Sequence, residues 1–195
     1  MNKFKILAAA FAMTALSACG GAPAGPPPLE GAKMGGAFRL TNQDGKTVTD
    51  ADFAGKYRLV YFGFTFCPDI CPTDLADIGK GLTAFEKVYP KRAAKIEPIF
   101  ITLDPARDTP AVVKEFVSNF HPRMVGLTGP EKDIDAVAQR YGIAYMREKP
   151  NAQGAYLVDH VRIAVLYGPK GEPIAIMPQN AKPQALADEL ARWVR

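Results

Sequence analysis

Two cysteines four positions apart, Cys67 and Cys71, are the residues of this chain whose types and spacing point most directly to chemistry. Thiolates are soft metal ligands and also redox nucleophiles, so the pair is compatible with a metal site or with disulfide chemistry. Three residues separate the cysteines, whereas the common Cys-x-x-Cys redox motif has two. A spacing of one helical turn lets the two sulfurs converge on one ion. If Cys71 lies in the first turn of a helix, the N-terminal dipole favours its thiolate form.

A third ligand would favour a metal site, and the sequence offers two histidines, His121 and His160. His121 follows a predicted helix, and we expect it to face solvent or to cap that helix. His160 lies between two apolar stretches, in the loop or bulge between two predicted strands. A histidine there is either a buried structural residue bonded to the backbone or a ligand that reaches the cysteines. Two thiolates and one imidazole make a three-coordinate set that suits copper.

The chain begins with the pattern of an exported bacterial lipoprotein. Two lysines precede an apolar run, residues 6–16, which is too short to span a bilayer comfortably. The run ends in LSACG at residues 16–20, which resembles a lipobox with residues 1–18 as the signal peptide and Cys19 as the lipidated residue. An ordinary cleaved signal that ends near a cysteine is the alternative. Lipidation removes Cys19 from the chemistry and leaves three donors, one fewer than structural zinc prefers.

The rest of the chain divides into a short linker and one domain. Residues 19–34 are rich in Gly, Ala and Pro, and we interpret them as a semi-rigid tether that begins at the lipidated cysteine. Residues 35–195 are long enough to bury a core without disulfides. The formal net charge is only +4 and there is no basic run, so nothing favours nucleic acid as a partner.

The order of the predicted elements indicates an α/β fold. Asp44-Gly45 predicts an N-terminal hairpin, and residues 58–64 have the continuous apolar character of a central strand. Apolar residues at three- and four-residue steps predict a helix over residues 73–89. Further elements alternate along the chain: strands at 96–103, 124–127, 143–146, 156–158, 162–167 and 173–177, and helices at 109–120, 130–141 and 183–194. This order implies a mostly parallel sheet flanked by helices, with binding loops at the strand carboxyl ends.

The segment around the cysteines, FGFTFCPDICP at residues 62–72, resembles the signature of the Sco/SenC family of copper-binding, thioredoxin-like proteins. The resemblance continues in ITLDPARDTP at residues 101–110 and VDH at residues 158–160, and it extends over residues 38–194. Three motifs in the same order make a chance match improbable. Phe66 departs from the pattern, because many relatives have a histidine there, but that histidine is not a copper ligand in the family.

The resemblance implies a thioredoxin-like fold that binds copper, as Cu(I) or Cu(II), through Cys67, Cys71 and His160. It also extends to Asp104 and Asp159, which we expect to lie beside the ligands or to support the structure around them. Family members serve the assembly of the binuclear copper site of cytochrome c oxidase. For this chain the resemblance therefore implies a metallochaperone whose partner is the copper-bearing oxidase subunit.

The expected location follows from the lipobox together with the resemblance. We expect a protein anchored by its lipid on the periplasmic side of a bacterial membrane, the inner membrane in preference to the outer. Exposed cysteine pairs tend to be oxidised in the periplasm, and copper needs both thiols reduced. A periplasmic thiol reductant is therefore a second expected partner.

A different hypothesis makes the chain a thiol–disulfide oxidoreductase. Cys67 would attack a partner disulfide and Cys71 would resolve the mixed disulfide, which would keep the copper-ligand cysteines of the oxidase reduced. A chaperone needs no catalytic turnover, so the sequence leaves open whether the protein is an enzyme. His160 separates the two hypotheses, because a copper site needs it and a dithiol reductase does not. A peroxidase is a third possibility, but we find no residues that would stabilise an oxyanion.

Overall fold

The computed structural model describes residues 25–195 of the chain. The predicted signal peptide, Cys19 and the first part of the predicted tether lie outside that range. In the described part the strands are β1 (Arg39–Asn42), β2 (Thr47–Thr49), β3 (Tyr57–Gly63), β4 (Ile96–Thr102), β5 (Val125–Thr128), β6 (Tyr145–Arg147), β7 (Val158–His160), β8 (Ala164–Tyr167) and β9 (Pro173–Met177). The helices are α1 (Ile70–Val88), α2 (Pro90–Ala93), α3 (Pro110–Ser118), α4 (Glu131–Arg140) and α5 (Pro183–Trp193), with a 3-10 turn at Asp50–Phe53.

Seven strands form one central sheet in the order β2-β1-β5-β4-β3-β8-β9. The central strands β3, β4 and β5 are parallel, while the pairs towards both edges are antiparallel. The predicted α/β fold is confirmed, and its parallel part is the centre of the sheet. Every residue of β3 is buried, as the continuous apolar run predicts. The carboxyl end of β3 leads directly into the loop at residues 64–69, which carries Cys67.

Helix α1 begins at Ile70, three residues before the predicted start. Cys71 and Pro72 therefore lie in its first turn, where proline is tolerated because the backbone N–H groups have no partner within the helix. The apolar face of α1 packs on α5. The two helices approach closely at Gly81, where a Cβ atom would lie 2.6 Å from Leu186 Cδ2.

Strands β6 and β7 form a separate two-stranded sheet, in which Tyr145 pairs with His160. His160 is therefore the last residue of β7, and the prediction of a loop or bulge at this position was wrong. The pairing with β6 extends the strand because it supplies backbone partners that apolar patterning does not reveal. Residues 161–163, which connect β7 to β8, have no regular structure.

The prediction for His121 was also wrong, because this side chain is buried and only 3% of the residue is exposed. Its Nε2 lies 3.4 Å from Glu86 Oε1, and its Nδ1 accepts a hydrogen bond of 3.3 Å from the Arg123 N–H. Desolvation lowers the pKa of His121, which favours the neutral ring. His121 is thus a structural histidine within a polar network.

The end of the predicted tether lies against the domain. The Leu29 N–H donates a 3.0 Å hydrogen bond to the Ile174 carbonyl in β9, and Leu29 and Met34 pack against the core. The division of residues 1–34 into signal, lipidated cysteine and tether remains a prediction. Among the described residues, no helix has both the length and the apolar character needed to cross a membrane.

Candidate metal centre

Cys67 lies in the loop between β3 and α1, at the carboxyl end of the central strand. Its N–H donates to the Phe64 carbonyl at 3.3 Å, and its side chain is half-buried. Asp108 fixes the start of this loop, since it accepts hydrogen bonds from the Thr65 N–H at 3.0 Å and from Thr65 Oγ1 at 2.6 Å. Asp108 also accepts a hydrogen bond from Thr102 Oγ1 in β4, so this buried carboxylate holds the loop that presents Cys67 against the neighbouring strand.

Cys71 is fully buried in the first turn of α1. Its N–H donates to Cys67 Sγ at 3.3 Å, and both cysteines are free thiols. Gly63 makes room for its sulfur, because a Cβ atom there would lie 3.1 Å from Cys71 Sγ. Desolvation raises the pKa of Cys71 to about 12. The expectation that the helix N-terminus favours the thiolate was wrong for this residue, because the cost of burying the charge outweighs the dipole.

His160 reaches Cys71 across the domain. Its Nε2 lies 3.6 Å from Cys71 Sγ, and its Nδ1 lies 3.0 Å from the Val161 carbonyl. A carbonyl oxygen only accepts, so Nδ1 carries the proton and the Nε2 lone pair faces the sulfur. The rings of Tyr61 and Phe64 meet the imidazole edge-on, at 6.5 and 6.4 Å between centroids. Desolvation lowers the pKa of His160, which favours the neutral form that binds metals.

Cys67 and His160 line the same cleft, whose walls include the apolar side chains of Phe64, Ile70 and Leu157. The Cys67 sulfur accepts the hydrogen bond from the Cys71 N–H, which places it beside the first turn of α1. In residues 25–195 no three His, Cys, Asp or Glu side chains already stand in a metal-holding arrangement. The fold thus brings Cys71 and His160 into contact, and Cys67 lines the cleft beside His160.

The two carried-over aspartates occupy different surroundings. Asp104 is fully buried after β4, where it pairs with Arg107 and accepts a 2.8 Å hydrogen bond from Tyr156 Oη. It does not line the cleft, but it ties β4 to the segment that precedes β7. Asp159 is exposed and lines the cleft beside His160.

Sequence reasoning missed a buried carboxylate next to the cysteines. Asp74 lies one helical turn after Cys71, is 1% exposed, and binds Tyr61 and Arg162. Its only sequence signal is a charged residue on the apolar face of α1, where it precedes Leu75. Arg162 gives a matching signal, since it stands at the start of an otherwise apolar stretch.

Comparison with known proteins identifies the family. The SCO1/SenC family model matches residues 26–195, which is most of the chain. The chain belongs to the SCO1/SenC family. The mitochondrial SCO1 homologue of Mus musculus is 38% identical over 162 residues, covering 83% of this chain and 56% of that protein. This Sco chain spans about half the length of the curated relatives it matches.

Solved Sco structures share the fold. The copper-bound structure of Bradyrhizobium japonicum ScoI has 38% identity and a TM-score of 0.75, covering 83% of this chain and 99% of that one. BsSco, a member of the Sco family of cytochrome c oxidase assembly proteins in which a disulfide switch was identified, has 23% identity and a TM-score of 0.60. It covers 89% of this chain and 97% of its own, and at that identity it supports the thioredoxin-like Sco fold alone.

Proposed function

We propose that this protein is a copper chaperone that carries one copper ion on Cys67, Cys71 and His160. The observation that carries the proposal is the 3.6 Å approach of Cys71 Sγ to His160 Nε2, two atoms separated by 89 positions in the chain. Dithiol exchange needs only the cysteine pair, whereas a buried thiol facing an imidazole lone pair supplies the sulfur and nitrogen donors that copper prefers. The copper-bound state of the related ScoI supports the same cargo.

The three proposed ligands can bind copper when both cysteines are reduced. Both cysteines are free thiols, and the imidazole nitrogen that faces Cys71 has its lone pair available. Burial holds the Cys71 proton in the absence of metal, so copper binding replaces that proton on the sulfur and releases it. Copper loading therefore requires reduced cysteines, and a periplasmic thiol reductant is part of the proposal.

The acceptor that we propose is the copper-bearing subunit of cytochrome c oxidase. BsSco belongs to a family of cytochrome c oxidase assembly proteins, and this chain belongs to the same family. We place the protein on the periplasmic side of a bacterial inner membrane, with residues 1–18 as a cleaved signal and Cys19 as the lipid attachment site. Residues 35–195 are the copper-binding domain, and the lipid anchor keeps it near a membrane-embedded acceptor.

Copper titration of the reduced processed protein, residues 19–195 with Cys19 lipidated, tests the ligand set. Wild type should bind one Cu(I) per chain, and His160→Ala should lower the affinity by more than the roughly 10- to 100-fold typical of residues that only support a ligand. His121→Ala is the matched control, because it removes the other histidine, which lies at Glu86 and away from the cleft. Unchanged Cu(I) affinity in His160→Ala would reject the ligand assignment.

Thiol–disulfide exchange is the second candidate function. Its support is the 3.3 Å approach of Cys67 Sγ to the Cys71 N–H, which places an accessible thiol beside a buried resolving thiol. The raised pKa of Cys71 opposes it, since thiolates and not thiols attack disulfides. His160→Ala should leave the rate of exchange with oxidised glutathione unchanged if copper transport is the function of His160. A loss of exchange in that variant, without loss of copper, would favour the oxidoreductase.

A further inference from the structure

The strand that carries His160 is not part of the central sheet. Within residues 25–195, β7 pairs only with β6, and the connection at residues 161–163 has no regular structure. Cys71, by contrast, belongs to the long helix α1, which packs on the central sheet and on α5. The 3.6 Å approach of His160 to Cys71 therefore depends on contacts other than the hydrogen bonds of the central sheet.

An ion pair between Arg162 and Asp74 links the segment that carries His160 to helix α1, which carries Cys71. Arg162 Nε donates to Asp74 Oδ2 at 2.7 Å, and its Nη2 donates to Oδ1 at 3.0 Å. Asp74 lies three residues after Cys71, and Arg162 lies two residues after His160. A guanidinium fork that holds both oxygens of a carboxylate fixes orientation as well as distance. The pair therefore fixes the position of the His160 segment relative to α1.

Neighbouring residues hold both partners of the pair. Tyr61 Oη, from β3, donates to Asp74 Oδ2 at 2.8 Å, so the buried carboxylate is itself fixed to the central sheet. Gln179 Nε2 donates to the Arg162 carbonyl at 2.9 Å, which holds the backbone of the connection after β7. The Tyr61 ring also meets the His160 ring edge-on. These contacts leave few orientations open to the imidazole.

We propose that Arg162 and Asp74 are positioning residues that hold His160 Nε2 at Cys71 Sγ and thereby set the affinity for copper. This inference rests on the proposed function, in which His160 is a copper ligand. Neither residue has to touch the ion. Arg162 acts by restricting the segment that carries the ligand, and Asp74 acts by connecting that segment to the helix that carries Cys71.

Arg162→Ala in the reduced processed protein, residues 19–195 with Cys19 lipidated, tests the inference by two measurements. The Cu(I) affinity, measured by competition with a chelator of known affinity, should fall by about 10- to 100-fold, as is typical when a partner that orients a ligand is lost. The electron paramagnetic resonance spectrum of bound Cu(II) should lose or broaden the nitrogen coupling that His160 contributes. Arg162→Lys keeps the charge but lacks the fork, and it should restore only part of both signals.

Arg123→Ala is the matched control. Arg123 pairs with Glu86 and donates to the Ile96 carbonyl at 2.6 Å, so its truncation also removes a half-buried ion pair, but away from the cleft. It should lower the unfolding temperature and leave both copper measurements at wild-type values. If Arg162→Ala behaves in this way, Arg162 has a structural role only and the inference is overturned. If the alanine variant does not fold, wild-type copper measurements in Arg162→Lys overturn it equally.

A double-mutant cycle separates this inference from the proposed function. In a His160→Ala background, Arg162→Ala should cause no further loss of Cu(I) affinity, because a positioning residue acts only through the ligand that it positions. An equal loss in both backgrounds would overturn the positioning role while leaving His160 as a ligand. Wild-type affinity in His160→Ala alone would instead reject the proposed function.

Discussion

His121 is buried and His160 is half-buried, and their ring nitrogens face different groups. His121 lies between the Glu86 carboxylate and the Arg123 N–H, so both of its nitrogens have polar partners. His160 has one nitrogen at a backbone carbonyl and directs the other to a sulfur. The structural histidine, His121, is the more deeply buried of the two, so burial does not by itself indicate a ligand. What marks His160 as a candidate ligand is the lone pair of its Nε2, which points at the soft donor Cys71 Sγ.

His121 should make the stability of the protein depend on pH. Its pKa in the folded state lies below the ordinary value, so the unfolded chain takes up a proton first as the pH falls. The stabilisation is therefore complete above pH ~6.5 and is lost as the pH falls towards the folded pKa. The free energy of unfolding, measured with urea between pH 7.5 and 5.5, should fall more steeply in wild type than in His121→Gln. Equal slopes would contradict this assignment.

At the residue level the sequence identified Cys67, Cys71 and His160 as candidates, but it did not reveal how they are held. Asp74 and Arg162 are separated by 88 positions, and each one alone is an ordinary charged residue in a sequence. Their pairing depends on the register of α1 against the connection after β7. Such long-range pairs follow from tertiary packing, which local patterning does not specify.

Helices α1 and α5 pack against each other and approach closely at Gly81. A Cβ atom at Gly81 would lie 2.6 Å from Leu186 Cδ2 and 2.9 Å from the Pro183 carbonyl. The backbone atom cannot move as easily as a side chain, so the helices would have to separate. The small size of residue 81 thus sets the distance between the two helices.

Gly81→Ala should destabilise the protein although alanine is the better helix former. Alanine gains about 1 kcal/mol in helix propensity over glycine. Overpacking a tight contact costs about 1–3 kcal/mol, and this contact includes backbone atoms, so we expect the cost to exceed the gain. Urea unfolding measures the difference, and Lys80→Ala, at the exposed neighbouring position, should change stability little. A more stable Gly81→Ala protein would show that α5 relaxes without cost.

The boundaries of helices and strands were predicted correctly where the apolar periodicity is strong. The predictions failed where pairing with another strand sets the boundary. The buried strand β3 and helix α5 follow directly from apolar patterning. The start of α1 was predicted three residues late, because the proline at position 72 suggests a boundary but is tolerated in a first turn. Strand β7 extends to His160 only because β6 pairs with it. Short strands of this kind have too few residues for a pattern.

At the scale of the whole molecule, copper would connect the two-stranded sheet to the helix that packs on the central sheet. His160 belongs to the first and Cys71 to the second, so a shared ion adds a link between parts that are otherwise joined by side chains. A ligand that binds only the folded state stabilises it by mass action. Copper should therefore stabilise the folded state in addition to being the ion that the protein carries.

Loading with Cu(I) should raise the unfolding temperature of the reduced protein. At a free concentration 100 times the dissociation constant, linkage predicts about 2.7 kcal/mol of stabilisation. His160→Ala should show a much smaller rise, and Mg²⁺ should give none, because sulfur and imidazole donors do not suit it. Scanning calorimetry under reducing conditions makes the measurement. An equal rise in His160→Ala would place the copper elsewhere.

The hydrogen bond from Leu29 to β9 fixes the point at which the N-terminal segment joins the domain, and so limits the distance between the domain and a membrane to which Cys19 is attached. With Cys19 as the attachment point, only the residues between it and Leu29 can span the gap. Ten fully extended residues cover no more than about 35 Å. If Cys19 carries the proposed lipid, the point where the chain leaves the domain would stay within about that distance of the membrane surface. The proposed acceptor would then have to present its copper-receiving groups close to the same membrane surface.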